Sequence, residues 1–451
     1  MYKLSLTRRE AFRAGLLTLS GFSLWNVGNH SAFAQDEPKK PAHDADWDRR
    51  MWKQYFTPRL QQKLWVGRTA YATTHTYMVP LHAAFLLDEK TWQEDMTALF
   101  QRYMKEGEGE PAVEGTLLNR MQFLYFVSRY LVLAHRTHNE KQIPEGLVER
   151  LYTYLEDAWT KRAVIQWEHP GFNCVRDRMN YKLDLKNPKL SYFRAILDEE
   201  IYIGAIAADL LQYETLKGEN SLSTPLLKEI VEMMRRMWKE RADQNEHGGW
   251  VFQSGIWDDH PDFAYSDQTT KIVGMEKRGR KGLGEDISHS HRLPLWLSSF
   301  MEASEMGSED RAYYAALLKG LEKQFFAKVL VLPTVTYKAY RTHNYLDGSN
   351  GLYRWEYKNL APHSGYGPYE LSGTLTLGWW VFLNTTRTTE VFAEMDKLFP
   401  LNEEITARYM GPAAVNSTAE SIADGKAHIN FGMRPLIVHL ASRIGDKLPH
   451  P

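Results

Sequence analysis

Beyond residue 47 the apolar positions recur mostly three and four residues apart, and alternating strand patterns are scarce. Helices are expected over 48–66, 75–87, 89–105, 115–136, 145–165, 190–214, 224–243, 287–306, 309–328, 369–384, 388–398 and 431–444. The run VLVLPTVTYKAY (329–340) is the exception and reads as a short hairpin arm. The helices are of two kinds. One is apolar almost all round and rich in small residues, as in EEIYIGAIAADLL (199–211) and LSGTLTLGWWVFLN (371–384), which suits a helix packed on both sides. The other is charged on one face, as in LLKEIVEMMRRMWKERA (226–242).

The two kinds alternate. Six apolar helices, near 75–87, 115–136, 190–214, 287–306, 369–384 and 431–444, are separated by amphipathic ones, and the helix at 48–66 closes the set. That order predicts an all-α fold, an (α/α)6 toroid of six inner and six outer helices, as a single domain over 48–451. A superhelical stack of helical pairs would need more regular repeat lengths. Three stretches also enter their helices alike: THTYMVPLHAAF (74–85), SHSHRLPLWLSSF (288–300) and AHINFGMRPLIVHLAS (427–442) each carry a His ahead of a Pro-Leu pair. Proline fits the first helical turn, where its missing N–H has no partner. His75, His289 and His428 are therefore expected at or just before helix N-termini, at one mouth of the ring. Two long connections, 244–286 and 329–368, end at inner helices and should lie over the same mouth.

Candidate chemistry gathers there. GEDISHSHR (284–292) places Asp286 three and Glu285 four residues before His289, so that a carboxylate can orient the imidazole and raise its basicity. His291 and Arg292 follow directly; plain helix capping by Asp286 or Ser288 is the competing reading. PHSGYGPYELSG (362–373) offers Tyr366, Tyr369 and Glu370, which serve equally well as an aromatic lid with a capping acid. HGGWVFQSGIWDDH (247–260) contributes Trp250, Trp257 and Asp258, aromatic faces suited to sugar rings or to anchoring the loop. RTHNYLDGSNGLYRWEY (341–357) adds His343, Asn344, Arg354 and Trp355, while NCVRDRMNY (173–181) supplies Arg176, more simply read as a solvated loop residue. No HExxH or GxSxG motif is present, and neither a metal nor a cofactor is expected.

Composition narrows the class further. With 451 residues, 43% hydrophobic and 13% aromatic, the chain can bury a large core, and a formal charge of −1 gives no basic footprint for a nucleic-acid partner. Residues 1–34 are set apart by a net charge of +3. LTRREAFRAG (6–15), a moderately apolar stretch (16–25) and AFAQ (32–35) resemble a twin-arginine export signal cleaved after Ala34. A linker over 35–47 would follow, and no transmembrane anchor is expected once the signal is removed, which points to the periplasm or the exterior. The single Cys174 cannot form an intrachain disulfide.

An exported ring with His, Tyr, Trp and acids at one mouth resembles the six-hairpin superfamily of carbohydrate-active enzymes, over roughly 48–445. That resemblance implies a polysaccharide or oligosaccharide substrate and two chemistries. A uronate lyase would use His289 as base, Tyr366 or Tyr369 as its partner, and Arg292 or Arg176 on the sugar carboxylate. A glycoside hydrolase would pair Glu285 or Asp286 with Glu370 or Asp258. His75, with the Trp, His, Asn and Arg residues of the loops, would contact sugar. A non-catalytic glycan-binding or polysaccharide-assembly protein would keep the aromatic groove without the acid–base pair. The abundance of His and Tyr favours the lyase.

Overall fold

The computed structural model describes His43 and residues 46–107, 116–167, 171–218 and 224–449. The expected export signal (1–34) and most of the linker lie outside the described residues. The chain is predominantly helical, and its two sheets are tiny. Its longer helices are α1 (Gly67–Leu86), α2 (Lys90–Glu106), α3 (Leu117–Arg136), α4 (Leu147–Glu156), α5 (Val175–Asp184), α6 (Asp198–Lys217), α7 (Thr224–Arg241), α8 (Leu293–Ala303), α9 (Glu309–Gln324), α10 (Thr386–Asp396), α11 (Glu403–Met410), α12 (Ala419–Phe431) and α13 (Met433–Ile444). No described helix is long and apolar enough to cross a membrane.

The apolar helices pack on one another in chain order. α1 packs on α3, α3 on α6, and α6 on α8. α8 then meets the second of two 3-10 turns, Ser372–Leu377 and Trp379–Leu383; both turns pack on α13, and α13 packs back on α1. α2, α4, α7, α9 and α10 lie against α1, α3, α6, α8 and α13 respectively. Burial follows this division: α6 buries almost every residue from Asp198 to Leu210, whereas α7 buries a stripe of Leu227, Ile230, Met234, Met237 and Trp238. Local signals set several ends. Thr116 caps α3 through Asn119 N, Ser308 caps α9 through Arg311 N, and left-handed Gly218 stops α6.

Three departures from the sequence expectations have physical causes. α1 begins eight residues before His75, so His75 lies mid-helix and Pro80 sits inside the helix; burial of fifteen of its side chains offsets the lost backbone hydrogen bond. The segment expected to be an inner helix at 369–384 is instead the two 3-10 turns, broken at Gly378 (φ 77) and ended by Asn384 (φ 56). His428 lies in the last turn of α12, just ahead of α13. The hairpin arm is real but minimal, β3 (Leu330–Val331) pairing antiparallel with β4 (Arg341–Thr342). A second small pair, Ala242–Gln244 with Trp250–Phe252, opens the long connection after α7.

Candidate functional site

Two long connections are stitched together above α6 and α8. Ile287 N donates to Asn344 O (2.9 Å), Leu352 N to Gln268 O (2.8 Å) and Arg354 N to Asp262 O (2.9 Å). Asn344 holds this junction, donating to Gly351 O and Gly367 O and accepting from Leu371 N. Between these loops and the start of α6 opens a cleft of about 550 Å³ including its solvent mouth. Trp167, Trp257, His260 and Phe263 form aromatic wall, and Asp198, Glu285, Asp286, His289, Tyr353 and Arg354 bring the charge and hydroxyl chemistry.

Asp286 and His289 form the cleft's most defined pair. Asp286 is the N-cap of a short helical turn, Ile287–Ser290, accepting from Ser288 N at 3.0 Å, and its other oxygen lies 2.6 Å from His289 Nδ1. The same carboxylate thus caps the turn and orients the imidazole. His289, Ser288 and, at longer range, Arg354 hold Asp286 far below the usual carboxylate range despite its burial. His289 Nε2, the ring nitrogen that does not meet Asp286, lies 4.0 Å from Asp198 Oδ2. Glu285, one residue earlier, goes the other way: burial, then the charges of Asp198 and Asp286, raise its pKa well above the ordinary value. Two adjacent carboxyls with opposite shifts are a known signature of acid and base roles.

Beneath the cleft lies a buried polar hub. Arg292, fully buried on α8's N-terminal side, donates through Nε to His75 Nε2 (2.9 Å) and through Nη2 to the Tyr71 hydroxyl (2.9 Å), and pairs closely with Asp198. The other ring nitrogen of His75, Nδ1, lies 2.9 Å from the Gln122 amide nitrogen, which also donates to Tyr71 O at 3.0 Å. Burial and Arg292 drive the pKa of His75 well down, so it is neutral. His291, also buried, leans on Trp379 at 5.6 Å and is kept neutral by burial and Arg292. The first two His-Pro-Leu stretches therefore do converge, through Arg292.

The remaining expected residues are placed as follows. Trp257 and Arg354 line the cleft; Arg354 is left-handed (φ 53) and held by Asp262, 2.8 Å from its Nε. Strain of that kind persists only where neighbours over-determine it. Trp250 is wholly buried, donating to Leu317 O, and so anchors its loop on α9. Asp258 accepts from Gly282 N and Leu283 N, a loop pin outside the cleft lining. Trp355 packs with Tyr265 and Leu352 in a small satellite core. Arg176 is a surface ion pair with Glu229 at 3.5 Å. His343 meets Lys328 O, and Tyr369 stacks between His343 and the Arg341 guanidinium. Tyr366 and Glu370 line a second cavity with Tyr409, His428 and Arg434, where Glu370 pairs with Lys271 at 2.6 Å.

Sequence reasoning passed over Asp198, Trp167, His260, Asp262 and Tyr353. Asp198 falls inside the helix expected over 190–214; the real helix starts at Asp198, which puts that side chain at the mouth. His260 is the last residue of the loop 247–260 and Asp262 lies two beyond it, and His260 Nδ1 accepts from Asp262 N at 3.2 Å. No family model, curated protein or solved structure matches the chain, so a functional reading rests on the cleft itself.

Proposed function

We propose that the chain is an exported (α/α)6 toroid acting on carbohydrate, and that its cleft abstracts a proton from an acidic sugar as a polysaccharide lyase does. The order of helix contacts, from α1 round to α13 and back to α1, supports the toroid. One observation carries the chemistry: the Asp286–His289 pair opens into an aromatic-walled cleft that also contains Arg354. His289 Nε2 takes the proton from C5 of a uronate, Arg354 faces the sugar carboxylate, and Tyr353 gives a proton to the departing oxygen as the C4–O bond breaks and C4=C5 forms. Tyr353 thereby fills the role expected of Tyr366 or Tyr369. Trp167 and Trp257 supply stacking faces for the ring.

Glu285 favours a second reading. A carboxyl kept neutral beside Asp198 suits a glycoside hydrolase in which Glu285 protonates the leaving oxygen. A panel of uronate-containing and neutral polysaccharides separates the readings. The lyase releases an ultraviolet-absorbing unsaturated uronate, and His289→Ala lowers that rate by about 10²–10⁴-fold. New reducing ends without that absorbance, lost in Glu285→Gln and retained in His289→Ala, would transfer the chemistry to the carboxyls. Glycan binding with neither product would identify a binding protein.

A further inference from the structure

Where α10 packs on α13, His43 and Trp47 come from near the start of the described chain. There three ligand-type side chains from distant parts of the sequence meet. His43 Nε2 lies 3.2 Å and His439 Nδ1 2.9 Å from the same oxygen, Oδ2 of Asp396. One donor atom from each lies within 4.8 Å of both others. The two imidazoles stack at 4.7 Å, and Trp47 closes the site edge-on to both, at 4.1 and 5.0 Å.

We propose that His43, Asp396 and His439 bind a divalent transition metal of the zinc class, clamping the segment before Trp47 onto the last helical pair. Distance supports this. Donors each about 2.1 Å from one ion lie roughly 3.0–3.4 Å apart for right-angled to tetrahedral geometry, and the two observed edges fall at 2.9 and 3.2 Å. Chemistry supports it too: two imidazoles and one carboxylate match zinc, cobalt or nickel better than magnesium or calcium, which prefer all-oxygen sites. The independent observation concerns Asp396. Its residue is 8% exposed, yet its second oxygen, Oδ1, is buried without a hydrogen-bond partner. A buried carboxylate oxygen left in that way is costly unless a cation offsets the charge. Close by, Arg443 of α13 pairs with Asp48, so the metal would reinforce an ionic seam joining the same two elements.

The test uses the full chain, stripped with a chelator, desalted and titrated with Co²⁺ and then Zn²⁺. One equivalent of Co²⁺ should give ligand-field bands in the visible that Zn²⁺ bleaches, and Zn²⁺ should raise the unfolding temperature. Asp396→Asn and His43→Ala should each weaken binding by about tenfold or more and abolish the thermal shift. Asp396 is buried and its variant risks misfolding; His43 is partly exposed on the terminal segment, so His43→Ala keeps the test decisive. Zn²⁺ affinity unchanged in His43→Ala, or no stoichiometric binding by the wild-type chain, overturns the proposal. Because the readouts are binding and stability, a wrong assignment of the cleft leaves the result unaffected.

Discussion

Replacing Glu285 by Gln tests whether the cleft holds a neutral carboxylic acid. Glu285 is 5% exposed, and its pKa is raised first by burial and then by Asp198 and Asp286, with the Arg292 charge opposing the shift. In the unfolded chain the group ionises at about 4.3, the ordinary value for a Glu side chain. From that pH up to its raised folded pKa, the native state keeps a proton that the unfolded state has released. Stability therefore falls as pH rises across that window, at up to about 1.4 kcal/mol per pH unit for one full proton. Glutamine has nearly the same shape and does not titrate, so the variant escapes this loss. The neighbouring Asp286, depressed far below its unfolded value, contributes stability that is lost only as pH falls, and it does so in both proteins. Urea unfolding at half-unit steps from pH 4.5 to 8 gives the difference in stability between variant and wild type. That difference should swing in favour of the variant as pH rises, with a slope approaching the one-proton value before it levels off. A difference flat across the whole range would show Glu285 ionising as an ordinary surface acid and would falsify the argument for a neutral acid at the site.

Two further substitutions probe the frame that holds the cleft. Arg129 is buried on α3 with Asp209 of α6 at 2.8 Å and Glu302 of α8 at 3.2 Å, so Arg129→Met, which leaves buried Asp209 without a cation and Glu302 with Arg136 alone, should cost about 3–5 kcal/mol in chemical denaturation; a loss under about 1 kcal/mol would mean that water reaches these carboxylates. Gly378 is left-handed, and a Cβ there would stand 3.1–3.3 Å from Val79, Ala441 and Ile437; Gly378→Ala should lower stability by roughly 1–2 kcal/mol from backbone strain, with crowding added. An unchanged melting temperature would mean that this turn relaxes to φ below zero.

The helices whose period was strong came through the sequence most faithfully. α3, α7 and α13 end within a few residues of their expected limits, because burial on one stripe or all round writes itself into spacing. The segment 369–384 misled for a physical reason: LSGTLTLGWWVFLN has the apolar content of an inner helix, but left-handed Gly378 splits it into turns that fill the same position. α5, α11 and α12 were missed, the first because VRDRMNYKLD is too polar to show a face, the last because α12 buries almost nothing. In the cleft, the Asp286–His289 spacing was readable since both lie in one turn. Asp198 and Tyr353 were not, because their place depends on which loops cross above α6, and long-range pairing leaves no local trace. The His43–Asp396–His439 group was invisible for the same reason, His43 standing more than three hundred residues before the other two.

The contact between α13 and α1 has a consequence for the time at which the molecule can exist at all. α13 packs along α1, and the same helix reaches the start of the described chain through Arg443 and Asp48, so the first apolar helix finds its second helical neighbour only at the end of the chain. At about 5–20 residues per second, the roughly 350 residues between α1 and α13 take on the order of half a minute to synthesise. Throughout that interval one flank of α1, with Val79 among its residues, has no native cover. The nascent protein thus carries an exposed apolar flank through that interval, a state that invites pairing with another ribosome's product or capture by a chaperone. Truncations before residue 433 should share this fate, accumulating as soluble aggregates rather than as folded monomers.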